Sequence, residues 1–436
     1  MAATVHFLHP NSPSVSGFLR VGHTGHRKLE ALLAGGRFPF RRVVFDAAFI
    51  GDQQELVSSL RDSGSEVVLD LNFAEMAAPG KYGQSPSKLP WANGDRPWQP
   101  SDFGRGRNFD IVKMMAEFAV AQNVNVVLAP THIVDGDDSE WQAADLKLCT
   151  ELRDELDRLG GNSIAVDYQL LTSAAFIRDT QGRELLKTGL RDLPIDNLWL
   201  RTSGFGATAK GAGTRKFIEA VRSFHELGVP VVADNVGGLA GLAACAFGAV
   251  GGICHGVGQK ESFESRSWKK APNDIDDDAR KIGMSRRVYV PSLDRHLKVK
   301  ELEAVFSAHG GKSRFGCTDK SCCQNGVEDM IENWHSHFIT QRSKQLAALS
   351  SVPEIKRAEH FITKMVEPIV RDARHGAKLK VSNEKVEKII SKAKERLENF
   401  KDAAWDLLDN SDSETRSMEP VFRGRGGVTQ LVSRQK

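Results

Sequence analysis

From about residue 41 onward, the chain repeats one pattern of hydrophobic and polar positions. A short run of β-branched residues is followed by a polar loop, and the loop by a stretch with apolar residues at helical spacing. The apolar runs are nearly continuous, which is typical of strands buried on both faces of a parallel sheet. We predict eight such strands, at residues 43–45, 67–69, 124–128, 164–166, 198–200, 231–233, 250–254 and 288–290.

Eight alternations of strand and helix favour an α/β fold of the TIM type, a (β/α)8 barrel, over an open doubly wound sheet. The run at 288–290 is the least certain of the eight, and the alternative for it is a hairpin outside the barrel. Two helical stretches end on Gly, as helix C-termini prefer.

Polar or ionisable residues follow nearly every predicted strand, at the end where barrel enzymes place their catalytic groups. They are Asp46, Asp70, Asn72, Thr131, His132, Asp167, Arg201, Asp234, Asn235, His255 and Asp294. Helix capping explains some of the Asp and Asn residues, but not an Arg and a His directly after apolar runs. We therefore expect an active site or ligand pocket at this face.

Two loops depart from the repeat. Residues 77–107 form a long insertion rich in Pro, Gly and Trp, of the kind that serves as a lid or binding loop. After the strand at 198–200, glycines stand beside basic residues just before a helix, an arrangement that suits a phosphate. The glycines are Gly204, Gly206, Gly211 and Gly213, and the basic residues are Lys210, Arg215 and Lys216.

Three of the six cysteines lie within seven positions, and two histidines follow them. Thiolates and imidazole are the usual ligands of tetrahedral Zn²⁺, and a closed set of four protein ligands indicates a structural site. We predict structural zinc bound by Cys317, Cys322, Cys323 and His337, with His335 as the alternative fourth ligand. Buried or redox-active thiols are the competing interpretation.

The composition adds few constraints. The 436 residues carry a net charge of +3, which by itself predicts no partner. No signal peptide and no membrane-spanning segment is evident, so we expect a cytoplasmic protein.

The order of these parts resembles the tRNA-guanine transglycosylase superfamily, which joins a barrel to a zinc-binding insertion near its end. The likeness spans about residues 40–375. The family's Asp-Ser-Gly-Gly-Phe motif has its counterpart in VVLDLNFAEM, which implies Asp70 as the general base, although the Gly pair is missing and Phe73 stands one residue early. The family's Gly-Gly-Leu-Ala segment falls near RTSGFGATAKGAG, with only glycine content in common.

The resemblance implies base exchange through a carboxylate nucleophile, on a guanine or 7-deazaguanine base in nucleic acid. The family's nucleophilic aspartate should fall near VGGICHGV, where this chain has no Asp. Asp234 is therefore the predicted nucleophile, with Asp70 and Asp167 as acid–base partners. The predicted substrate-binding residues are Asn72, Arg201, Gly204, Gly206, Asn235 and His255.

Two other functions stay open at this point. One is a nucleic-acid-binding component of the same superfamily without catalysis. The other is a metabolic lyase or hydrolase for a small acidic or phosphorylated substrate, with Asp70, Asp167, Asp234 and His255 around a catalytic metal. The resemblance implies an enzyme, a glycosyltransferase, with nucleic acid as a possible partner. No membrane partner is expected, and a homodimer is left open.

The predicted organisation has five parts. They are an N-terminal extension at 1–40, the barrel at 41–300 with its insertion at 77–107, a zinc-cluster and helical module at 301–375, a charged C-terminal helix at 376–410 and a flexible basic tail at 411–436.

Overall fold

The computed structural model describes residues 14–103, 109–136, 139–258, 260–270, 286–410 and 417–424. Its strands are β1 Ser16–Arg20, β2 Arg42–Asp46, β3 Glu66–Asp70, β4 Val126–Leu128, β5 Ala165–Ser173, β6 Leu198–Ser203, β7 Phe205–Gly206, β8 Val231–Asp234, β9 Gly252–Gly256, β10 Ser262–Phe263, β11 Arg287–Val290 and β12 Arg295–Lys298.

Helices follow most of the strands. They are α1 His26–Ala34, α2 Ala47–Ile50, α3 Gln54–Asp62, α4 Phe73–Met76, α5 Phe109–Gln122, α6 Ser139–Arg158, α7 Ala174–Arg178, α8 Thr180–Leu190, α9 Gly211–Arg222, α10 Gly238–Ala246, α11 Arg266–Lys269, α12 Val299–Ser307, α13 Gly311–Phe315, α14 Val327–Glu332, α15 Trp334–Ser350, α16 Glu354–His360, α17 Glu367–Gly376 and α18 Glu384–Asp409. No helix within the described ranges is long and apolar enough to cross a membrane.

Eight parallel strands close into a barrel, in the order β1-β2-β3-β4-β5-β6-β8-β9 and back to β1. The (β/α)8 fold class is confirmed. Seven of the predicted strands are barrel strands, but the run at 288–290 lies in β11, which pairs antiparallel with β12 outside the barrel. That prediction was wrong, and the hairpin alternative was right.

The missing strand is β1, within the stretch 1–40 that the sequence pattern sets apart from the barrel. It pairs with β2 on one side and β9 on the other, so the barrel begins at Ser16 and its last strand ends at Gly256. Its sequence, SGFLR, has no β-branched residue and ends in a charged one. Phe18 points into the apolar layer, and Arg20 points into the barrel at the mouth. The apolar pattern alone therefore missed it.

A layer of apolar side chains fills the middle of the barrel: Phe18, Val44, Val68, Val126, Leu128, Ala165, Trp199, Val232 and Cys254. Because side chains alternate along a strand, the residues two positions beyond Phe18, Val44, Val68, Trp199 and Val232 point inward at the carboxyl-terminal end, called the mouth below. Those two positions earlier point to the opposite end. The layer thus separates two polar ends of one barrel.

The chain after the barrel packs against its outer wall. α15 lies against β1, where a Cβ on Gly17 would approach the Leu346 side chain to 2.6 Å, and α18 lies against α9, where a Cβ on Gly211 would approach the Asn399 carbonyl oxygen to 2.5 Å. Glycine at these two positions therefore allows the helices to approach closely. The helix predicted at 376–410 is α18.

Residues 417–424 cross the amino-terminal end of the barrel. The sequence pattern predicted a flexible tail for the whole of 411–436. The Arg42 guanidinium donates to the carbonyl oxygens of Pro420 (2.6 Å) and Val421 (3.4 Å), and the Arg423 N–H donates to Glu66 (2.5 Å). Residues 411–416 and 425–436 lie outside the described residues. The described part of the tail is thus a strap across the barrel.

Candidate active site and candidate metal centre

Five charged side chains meet at the mouth, each two residues beyond a member of the apolar layer. Arg20 Nη1 lies 2.8 Å from Asp46 Oδ1 and 2.6 Å from Asp70 Oδ2, and its Nη2 lies 3.2 Å from Asp234 Oδ2. Arg201 Nη2 lies 3.0 Å from Asp70 Oδ2 and 2.7 Å from Asp234 Oδ2. Two guanidinium groups thus bridge three carboxylates in one buried network.

The two arginines keep Asp70 and Asp234 ionised. Burial opposes ionisation of both carboxyls, but Arg20 and Arg201 outweigh it and hold the pKa of each below its ordinary value. Neither group is therefore a proton donor near neutral pH.

Asp234 is the most enclosed member of the network, at 0% exposure. Besides the two arginines, Gln169 Nε2 donates to its Oδ2 (2.9 Å) and the Asn235 N–H to its Oδ1 (2.9 Å). Asp70 is 5% exposed and accepts from the Asn72 N–H (2.9 Å). Both Asp234 oxygens accept bonds from the Arg20 guanidinium. At Asp70 both guanidinium groups bind Oδ2, so Oδ1 has no cationic partner among the described residues. The geometry therefore favours Asp234 as the carboxylate that holds Arg20 and Arg201.

Two residues that sequence reasoning missed complete the mouth. Lys260 Nζ lies 2.8 Å from Asp46 Oδ2. Glu75, in the first turn of α4, is half-buried, and burial together with the charges of Asp46 and Asp70 raises its pKa. Glu75 is thus a mouth carboxyl suited to proton transfer. The sequence signal for Glu75 was its position in FAEM, five residues beyond the strand-ending Asp70.

Asn72 and Asn235 each follow a mouth aspartate and adopt a left-handed backbone, both with φ 56°. The Asn72 Oδ1 accepts a bond from the Ala48 N–H (3.2 Å), which fixes its side chain. The Asn235 Oδ1 is buried and, among the described residues, has no partner. A buried carbonyl without a partner at the mouth suits a donor group on a ligand.

Asp167 does not reach the mouth. On β5 it stands two residues before Gln169, which does bond to Asp234 at the mouth. It accepts bonds from Trp199 Nε1 (2.7 Å) and from Asn197 Nδ2 (3.0 Å). Burial raises its pKa to about 7. The expected convergence with Asp70 and Asp234 was wrong, because those two carboxylates end their strands and Asp167 stands inside β5.

His255 is also away from the mouth. It lies between the inward-facing Cys254 and Gly256, so strand alternation directs it outward, where its ring contacts Phe40 (6.1 Å between centroids) and Phe338 (5.4 Å). Burial lowers its pKa to about 4, which leaves the imidazole neutral. A metal held by Asp70, Asp167, Asp234 and His255 is therefore incompatible with this geometry.

The predicted glycine loop has structural reasons for its glycines. Gly204 has φ +80°, and a Cβ on Gly206 would lie 2.4 Å from that of Ser262, where β7 pairs with β10. The insertion is similarly anchored, since Trp91 is buried and its Nε1 donates to the Leu71 carbonyl (3.2 Å); residues 104–107 lie outside the described part.

Cys317, Cys322, Cys323 and His337 form a group that could hold a metal ion, with all four ligand atoms within 4.8 Å of one another. Cys322 Sγ lies 3.6 Å from Cys323 Sγ and 3.3 Å from His337 Nδ1. Tetrahedral zinc gives edges of about 3.8 Å between sulfurs and about 3.5 Å between sulfur and nitrogen. The side chains fit such a centre. His335 instead stacks on Trp334, with centroids 3.5 Å apart.

A chain of contacts connects this cluster with the mouth. His337 Nε2 lies 3.0 Å from the Tyr289 carbonyl oxygen, as a metal-binding imidazole requires of its second nitrogen. The buried Arg342 guanidinium lies over the Tyr289 ring (5.1 Å) and donates to Glu261 (2.9 Å), the neighbour of Lys260. The cluster thus supports α15 and β11, which in turn support the loop that carries Lys260.

Comparisons with known proteins carry no argument about this chain. No protein-family model matches the sequence, and no curated protein matches it. Among solved structures, KGPDC from Streptococcus mutans is similar over 60% of this chain and 95% of its own, at 13% identity and a TM-score of 0.33. A type I 3-dehydroquinate dehydratase from Clostridium difficile covers 60% of this chain and 92% of its own, at 8% identity and 0.35.

The Penicillium canescens endo-1,4-beta-xylanase XylE covers 54% of this chain and 81% of its own, at 12% identity and a TM-score of 0.36. Likeness at this level says nothing about substrate or mechanism.

Proposed function

We propose that this protein is a barrel enzyme that exchanges a guanine or 7-deazaguanine base in nucleic acid at its mouth. The observation that carries the proposal is the mouth itself, where an ionised Asp70 held by two arginines lies beside Glu75, a carboxyl with a raised pKa. The transglycosylase superfamily enters as a resemblance in layout, and a barrel followed by a Cys3His cluster is compatible with that layout.

The chemistry needs one nucleophile and one proton-transferring group. The Asp70 carboxylate would attack C1′ of the nucleoside, forming a C1′–O bond as the glycosidic C1′–N bond breaks. Glu75 would donate its proton to the departing base and then accept one from the incoming base, whose nitrogen displaces Asp70. Asp234 and Arg201 would position these groups, and the Asn235 carbonyl would accept a bond from the base.

Incorporation of radiolabelled guanine into RNA and, separately, into DNA tests this function. We expect incorporation into one of the polymers and a loss of at least about 100-fold in Asp70→Asn and in Glu75→Gln. The matched control is Glu55→Gln, an exposed carboxylate on α3, which should keep full activity. Equal incorporation by all three variants would contradict the assignment.

A binding component without catalysis is the second candidate, because all three mouth aspartates are bonded to cations. It predicts that wild-type protein binds nucleic acid but incorporates no label into either polymer. The exchange assay thus separates the two candidates directly.

We propose zinc as the metal of the Cys3His cluster, since three thiolates and one imidazole suit it and leave no coordination position open. Zinc would hold the loop between α13 and α14 against α15, and no step of the exchange would pass through it.

Metal analysis of the purified protein should find about one zinc per chain, lost in Cys322→Ser. Cys245→Ala changes a buried thiol of α10, far along the chain from the cluster, and should retain the metal. Wild-type protein without a bound metal would overturn the proposal.

A further inference from the structure

A cleft on the outer wall of the barrel is lined by Arg178, Arg183, Lys216, Glu219 and Ala220 and has a volume of about 460 Å³. We call it the basic cleft. Arg178 ends α7, Arg183 lies in the first turns of α8, and the other three residues lie on α9. The cleft is large enough for a nucleotide unit.

The cleft carries uncompensated positive charge. Arg183 Nη1 donates to the carbonyl oxygens of Ile177 (2.9 Å) and Arg178 (3.2 Å), and Arg178 Nε donates to that of Ala174 (2.5 Å). These neutral partners fix the guanidinium groups and leave their charges unpaired. In the ranges that the structure describes, none of the three cations forms an ion pair.

The acidic residue of the cleft does not neutralise these cations. Glu219 lies 3.8 Å from Arg215, with which it forms an ion pair one turn apart on α9. Three cations therefore face the cleft against one carboxylate that has its own partner. This excess selects an anionic ligand, and the planar guanidinium fork in particular suits phosphate.

Two of the helices that line the cleft, α7 and α9, follow strands that build the mouth. α7 follows β5 directly, and α9 follows β6 and the short β7. The same strands bear Gln169 and Arg201, which bond to Asp234 at the mouth. A polymer that leaves the mouth over α7 and α9 would thus run toward the cleft.

We propose that the basic cleft binds the phosphodiester backbone of a nucleic acid whose target base enters the mouth. The proposal rests on the proposed function for the nature of the polymer. Arg183 and Arg178 supply fixed donors, and Lys216 supplies a mobile charge that follows the backbone. Backbone contacts of this kind give affinity without sequence specificity.

Fluorescence anisotropy with labelled single-stranded RNA and DNA of about 20 nucleotides, over about 50–200 mM salt, tests the cleft. Arg178→Ala and Lys216→Ala should each weaken binding by about 3- to 10-fold at the lowest salt. Each should reduce the slope of log K against log salt by about 0.7, the value for one lost phosphate contact on a single strand. Glu219→Gln should strengthen binding, because it removes the negative charge.

Lys356→Ala is the matched control, since Lys356 is exposed on α16 and its loss changes the net charge equally. Binding by the cleft variants that equals this control would overturn the proposal, as would binding of inorganic phosphate with no binding of either oligonucleotide. A cleft-dependent salt slope without guanine incorporation would support the cleft and refute the exchange function. Guanine incorporation together with unaltered salt slopes in the cleft variants would support the exchange function and refute the cleft.

Discussion

Asp167 is a carboxyl group inside the barrel that forms no ion pair with any residue of the described ranges. Its bonds come from Trp199 and Asn197, which are neutral donors, and burial raises its pKa from 3.8 to about 7. Asp70, at the mouth, has its pKa lowered because two guanidinium groups outweigh burial. The partner, and not burial alone, decides the charge of each carboxyl.

The raised pKa of Asp167 makes stability depend on pH. Below about pH 4 the group is protonated in both states, whereas between about pH 4 and 7 only the unfolded chain has lost the proton. Stability is therefore lost as pH rises through this window, by about 4 kcal/mol in total. Asp167→Asn cannot ionise, so its free energy of unfolding relative to wild type should rise by about that amount from pH 4 to pH 8.

Urea denaturation at both pH values measures the difference. Asp62→Asn, an exposed change on α3, should give a difference from wild type that is independent of pH. If Asp167→Asn behaves in the same way, Asp167 is ionised in the folded protein.

At the scale of elements, the hydrophobic pattern predicted strands well where both faces are apolar and failed where one face is charged. Seven runs proved to be barrel strands. The eighth barrel strand, β1, carries Arg20 toward the mouth and a glycine toward α15. Neither face has the β-branched residues that are typical of a buried strand. β11 has such residues, but it pairs only within a hairpin.

The Cys3His cluster shows the opposite case, since side-chain chemistry identified its members without a regular spacing. Cys322 and Cys323 are adjacent, yet a turn brings both thiols to His337 Nδ1, at 3.3 and 3.4 Å. Reduced thiols rarely cluster for packing reasons alone. Residue type was therefore sufficient to select the group, and the helix α15 decided between His335 and His337.

At the scale of the whole molecule, the two ends of the barrel are closed differently. The mouth keeps its charged network, whereas the strap at 417–424 covers the opposite end. The Phe422 ring lies under the Arg41 and Arg42 guanidinium groups, at 4.6 and 5.3 Å, and Arg423 Nη2 lies 2.7 Å from Asp196. In barrels of this kind that end serves stability and not catalysis.

Removal of residues 417–436 should therefore lower stability and leave the mouth intact. We expect a loss of about 3 kcal/mol in the free energy of unfolding, because charged hydrogen bonds of Arg42 and Glu66 are lost. Urea denaturation measures this loss. Metal content should be unchanged, which excludes general unfolding of the truncated protein, and unaltered stability would contradict the structural role of the strap.

The sequence by itself determined the barrel, its strand-ending aspartates and the cysteines of the cluster that could hold a metal ion. Periodicity and residue type suffice for these, because they depend on local chain geometry and on ligand chemistry. Only the tertiary structure decided that Arg20 belongs to the mouth, that Glu75 lies there, and that Asp167 and His255 do not. These depend on which face of a strand points inward and on which strands are neighbours, and contacts between residues up to 214 positions apart set both.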